Sequence, residues 1–288
     1  MGTSNIKLFG LAIALAGAAG AGQAAADTTV SSGTTTPLTT ATDGNVHVAS
    51  GGSITVTASQ TAITANSANT VTLDQGGTLS SNNADHTRGI VIGAGADGNV
   101  VSNGAISLLE DYTLTDSDSD GDLDGTFATG ADRIGILLNS GVTFAHDLTV
   151  GSTSAITIEG NNSYGVRLDG TLGGNLTLSG PISLTGDNGA GVSIGSAGAG
   201  GVTGNVSIAG AITVIGTNSA GVLVNAPITG GFSVSSNLTT TGYHSTTRPS
   251  TDAGIAALDA DDLRQGGSAV DVRSNVGGGI LVRGIGVE

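Results

Sequence analysis

The chain has 288 residues, of which 50 are glycine, 2% aromatic, 11% charged and none cysteine or tryptophan, and its formal net charge is −15. That balance excludes a nucleic-acid binder, since a polyanion is held by clustered cations and Lys and Arg together number only 8, with Lys7 the sole lysine. The missing cysteines exclude a disulfide scaffold, and 38% hydrophobic residues with so little charge exclude the disordered class.

Residues 1–26 read as a secretory signal peptide. Lys7 supplies the positive segment, 8–22 an Ala-rich apolar segment, and Ala24, Ala25 and Ala26 the small residues of a cleavage site. The stretch is too short and too rich in Ala and Gly for a membrane anchor, and no Cys follows it to carry a lipid. Residues 27–43, rich in Thr and Ser, are expected to form a flexible cap segment. From Gly44 short runs alternate apolar with polar residues: Val46-His47-Val48, Ile54-Thr55-Val56, Ala62-Ile63-Thr64 and Val71-Thr72-Leu73. This is the period-2 signature of strands with one buried face, here separated by turns at Gly51-Gly52 and Gly76-Gly77.

From Gly89 a unit of three strands repeats. Its first strand places an apolar residue after a glycine, at Gly89, Gly135, Gly165, Gly191 and Gly221. Gly135, Gly165, Gly191 and Gly221 are 30, 26 and 30 residues apart, a solenoid period. Gly89 and Gly135 are 46 apart, so 110–131 is read as an insertion; a second is expected at 242–252, before a further first strand at Gly254-Ile255-Ala256-Ala257. Stacking the units predicts three inward columns. They are Ile90, Ile136, Val166, Val192, Val222 and Ile255; Val100, Leu148, Leu176, Val206, Phe232 and Ile280; and Ile106, Ile156, Ile182, Ile212 and Leu238. Ser107, Thr157, Ser183, Thr213 and Thr239 form an outward hydroxyl row. Asn162, Asn188 and Asn218, each three residues before an opening glycine, are expected to make an amide ladder at one corner, because Asn tolerates left-handed backbone. The fold class is therefore all-β, a right-handed three-sided parallel β-helix over 44–288, with its last unit incomplete at Glu288. A β-sandwich does not explain a register that returns every third strand.

The signal peptide, the strand triplet and the Asn-Ser-Ala-Gly-Val turn at 218–222 resemble the passenger domains of Gram-negative autotransporters. The resemblance implies a non-enzymatic rod exported to the cell surface or outer membrane, acting as stalk or adhesin, with an outer-membrane translocator barrel as its partner. Residues 44–288 carry no run of barrel strands with aromatic girdles, so that barrel would lie outside them. Glycans or abiotic surfaces are the expected contacts, and an open last coil is a route to self-association. The alternatives are a polysaccharide lyase or hydrolase and a self-assembling surface-layer subunit.

Few residues point to chemistry. Asp116, Asp118, Asp120, Asp122 and Asp124 alternate around Gly121 in the manner of a calcium loop, which predicts structural Ca²⁺; Phe127 stands where a closing bidentate Glu is usual. Asp147, Glu159, Asp169 and Asp271 fall at different points of the repeat. Arg88, Arg133 and Arg167 come near one corner and are read as partners of Asp132 and Asp169. His47, His86, His146 and His244 show no metal spacing, and no nucleophile elbow is present.

Overall fold

A computed structural model describes residues 25–117, 119, 123–195, 199–244, 249–258, 260–283 and 286–287. The chain winds as a β-solenoid whose strands belong to three long parallel sheets of nine, nine and eight strands. A strand of two to five residues has no partner within its own coil. Its N–H and C=O groups are satisfied by the coils above and below, about 4.8 Å away.

One sheet, the Asn face, runs from Thr28–Val30 to Ile280–Val282 and aligns Val100, Leu148, Leu176, Val206, Phe232 and Ile280 as predicted. The second, the hydroxyl face, runs from Gly33–Thr34 to Gly286–Val287 and aligns Ile106, Ile156, Ile182, Ile212 and Leu238. The third, the glycine face, aligns Ile63, Ile90, Ile136, Val166, Val192 and Val222. These columns meet inside the coil in one apolar core, except that Ile280, expected inward, is 52% exposed because no further described coil covers it.

The glycine column has a steric cause. Pairing on the glycine face runs Ile134 to Tyr164 and Ile136 to Val166, passing over Gly135 and Gly165. A Cβ on Gly165 would lie 2.5 Å from Ile182 Cγ2 and 2.6 Å from the Gly191 carbonyl oxygen. Only glycine lets the backbone pass that close.

The solenoid departs from expectation in four places. Residues 27–43 do not form a loose cap: Thr28–Val30, Gly33–Thr34 and Leu38–Thr39 pair with the next coil in all three sheets, followed by a short helix, Thr40–Asp43. Ile255 does not join the glycine face. It lies in a second short helix, Asp252–Ala257, and is 44% exposed, while Val270 takes the position above Val222. Thr251 explains the change, since its hydroxyl accepts the Gly254 N–H at 3.1 Å and caps an Ala-rich turn opened by Asp252. The second insertion accordingly runs well past 252.

A fourth, three-stranded sheet of Thr143–Phe144, Thr171–Leu172 and Gly201–Val202 forms an additional edge. It extends by single bridges to Ile228 and Val276, and Phe144, Leu172, Val202 and Ile228 are buried. Finally, Asn162, Asn188 and Asn218 do adopt positive φ, at 51°, 58° and 57°, and Asp132 and His86 continue that column. The side-chain ladder there runs one residue earlier: Asn161 Oδ1 accepts the Asp187 N–H, and Asp187 Oδ1 accepts the Thr217 N–H, each at 2.8 Å.

Candidate interaction surface

Outward groups are arranged by the coil repeat. On the hydroxyl face Ser107, Thr157, Ser183, Thr213 and Thr239 stand in register. Along the N-terminal edge of the Asn face, side-chain oxygens reach to the next coil. Asp147 Oδ1 accepts the Asn175 N–H at 2.7 Å, Asn175 Oδ1 that of Asn205 at 2.9 Å, and Asn205 Oδ1 that of Gly231 at 2.8 Å. Asp27 begins the same edge by accepting the Asn45 N–H, which holds its carboxyl below the usual range. Asp147 is thereby a structural acceptor. Asp169 is another, bound by Arg167 at 2.9 Å.

The three arginines divide. Arg88 grips Asp132 through two bonds of 2.9 and 2.8 Å, and Arg167 lies over the Tyr164 ring at 4.7 Å while pairing with Asp169. Burial opposes ionisation of Asp132, but Arg88 and His86 outweigh it and hold its pKa below the ordinary carboxylate value. Arg133, expected beside this pair, differs from it, because its side chain is 1% exposed. It donates to the Ala84 and Glu159 carbonyls and pairs with Glu110 and Asp85, both at 3.3 Å. Glu110, 4% exposed, also accepts the Thr129 and Gly130 N–H groups at 2.8 and 2.6 Å. This buried pair fastens both ends of the first insertion to the solenoid.

Three histidines, far from one another, each meet an aspartate of an adjacent coil: His47 with Asp74 at 2.6 Å, His86 with Asp132 at 2.8 Å, and His146 with Asp97 at 3.0 Å. His244 instead stacks on Phe127, centroids 4.1 Å apart.

That stack joins the two insertions. Both leave the same corner, between the hydroxyl and glycine faces, four coil steps apart, or about 19 Å along the axis. From Leu108 to Ile136 the chain takes 28 residues where Ile158 to Val166 takes 8, and Val214 to Val222 takes 8 where Thr240 to Val270 takes 30. The excursions are therefore nearly equal. They meet where Phe127 covers His244 and where the Gly125 N–H donates to Asp261 Oδ2 at 2.9 Å.

Of the predicted calcium ligands, Asp118, Asp120 and Asp122 lie outside the described residues. Asp116 accepts the Ser119 N–H at 2.6 Å, and Asp124 accepts the Ser117 N–H and hydroxyl. Both carboxylates are thus engaged by donors of Ser117 and Ser119, and among the described residues no group of three or more His, Cys, Asp or Glu side chains is placed to hold a metal ion. Beside the insertion root, a groove of about 350 Å³ on the hydroxyl face is lined by Ser80, Ser107, Glu110, Asp111 and Glu159 among others. At the far end Ile280, Leu281 and Val282 are about half exposed, at 52%, 48% and 52%. No family model matches the chain, and no curated protein or solved structure matches it.

Proposed function

We propose that this chain is an exported, non-enzymatic β-helical rod of the autotransporter passenger type, displayed by a Gram-negative cell as a stalk or adhesin. The observation that supports it is the in-register hydroxyl row from Ser107 to Thr239 on an unbroken nine-stranded sheet. A hydroxyl every coil, about 4.8 Å apart, offers a glycan the same weak contact many times over, and linked contacts multiply. In this reading residues 1–26 direct export and an outer-membrane translocator barrel carries the rod across. The test is expression of the full reading frame in a Gram-negative host. Antibody labelling and protease sensitivity of the rod on intact cells are expected; a rod accessible only after lysis would overturn the display reading.

A structural Ca²⁺ in the 116–124 loop belongs to the same proposal. Added Ca²⁺ is expected to raise the melting temperature, and Asp118→Ala/Asp120→Ala to remove the gain; an unchanged melt in the parent protein would refute it.

The acidic groove favours one other reading, cleavage of a polysaccharide by Asp111 and Glu159. Glu110 is the least available of the three, being buried and paired with Arg133. New reducing or unsaturated ends from plant or algal polymers, lost in Asp111→Asn or Glu159→Gln, would establish that reading over the first.

A further inference from the structure

We infer that the joined insertions form a docking surface for a cationic, amphipathic peptide segment. Apolar side chains of the solenoid point inward almost everywhere. Among the described residues the exposed large ones are Ile280, Leu281 and Val282 in the last coil and four on the insertions: Tyr112 at 37%, Leu123 at 48%, Ile255 at 44% and Leu263 at 62%. Three of them, Tyr112, Leu123 and Leu263, adjoin the contact between the insertions in the fold or in the sequence. Leu123 is two residues from Gly125, and Leu263 two from Asp261, the pair whose hydrogen bond closes the seam. The Tyr112 hydroxyl stands at the same point, 3.1 Å from where a Cβ on Gly125 would be. The helix Asp252–Ala257 buries none of its residues, so among the described residues its apolar side chains stay largely exposed. Exposed apolar groups concentrated this way on a built, hydrogen-bonded crest mark a surface that takes a partner.

Charge selects which partner. The same two insertions carry Asp111, Asp116, Asp124, Asp252 and Asp261, with Arg264 the only arginine or lysine of the two insertions among the described residues. An anionic lipid surface and a nucleic acid are repelled, and so is a second copy of a chain with net charge −15. The complementary occupant has an apolar face flanked by Lys and Arg, the helix-in-groove mode of recognition. The inference does not depend on where the rod is displayed, and it adds a specific site to the weak contacts of the hydroxyl row.

Fluorescence anisotropy of the purified protein with two labelled peptides tests it. One peptide carries Lys and Leu at helical spacing; the other has the same composition, scrambled. The first is expected to bind about tenfold more tightly, to weaken as salt rises from about 50 to about 500 mM, and to keep its preference over the scrambled peptide. Leu123→Ser/Leu263→Ser is expected to abolish that preference without moving the melting temperature. Equal binding of both peptides by the parent protein would mean long-range charge alone and overturn the proposal. A preference retained in the double variant would place binding at another site, such as the last coil, and overturn it too. So would concentration-dependent self-association that the same variant abolishes, since the crest would then be the protein's own interface. Should the variant unfold, a photo-reactive form of the first peptide must crosslink to 110–131 or 249–268; crosslinks confined elsewhere refute the site.

Discussion

The glycine column makes a demand that one methyl group can test. Gly165→Ala places a Cβ against Ile182 and the Gly191 carbonyl, and overpacking of this kind costs about 1–3 kcal/mol. Denaturant melts are expected to show that loss, while a Gly→Ala change at Gly141, where a Cβ would meet nothing within 4 Å but φ is +75°, costs less, about 1 kcal/mol from backbone strain alone. Arg133 carries a different kind of load. Arg133→Met leaves Glu110 buried without its cation, which is expected to cost about 3 kcal/mol; adding Glu110→Gln is expected to restore part of it. For Asp132 the pKa in the fold lies below the unfolded value of about 3.9. Its ionised form therefore stabilises fully above that pH, and the contribution is lost as pH falls through the folded value. Asp132→Asn keeps a residue that tolerates the positive φ, lowers stability at neutral pH by about 0.5–1 kcal/mol for this partly exposed pair, and flattens the fall below about pH 4.

At the scale of elements, the joined insertions are expected to unfold separately from the solenoid. Phe127→Ala removes the platform under His244, and amide exchange at Gly125 is expected to quicken while the Val166 and Val192 amides remain protected. Equal acceleration in the core would mean that the insertions hold the coils together. The strands were legible in the sequence because most of them alternate buried with less buried residues and each inward column repeats apolar side chains. The fourth sheet was not legible: Leu172, Val202 and Ile228 follow their opening glycines at 7, 11 and 7 residues, and each contributes a single inward side chain. The pattern Gly-Ile-Ala-Ala at 254–257 matched a first strand in composition, yet Thr251 and Asp252 make a helix start, which outweighs the match. The His–Asp pairs and the seam between insertions were hidden for another reason. They join residues from different coils whose sequence separation carries no local signal, as with Gly125 and Asp261.

For the whole molecule, everything proposed depends on coils lying one upon another in the register Ile156–Ile182–Ile212, with Thr157, Ser183 and Thr213 outward beside them. The absence of native cysteine makes that register directly measurable. Partners in adjacent coils have Cα atoms about 4.8 Å apart, inside the window for a disulfide, whereas positions two coils apart are separated by about 10 Å, outside it. Under mild oxidation Thr157→Cys/Ser183→Cys is expected to form an intramolecular disulfide in high yield, and Thr157→Cys/Thr213→Cys to remain reduced. A failure of the first pair to close, or equal closure of both, would contradict the stacked solenoid.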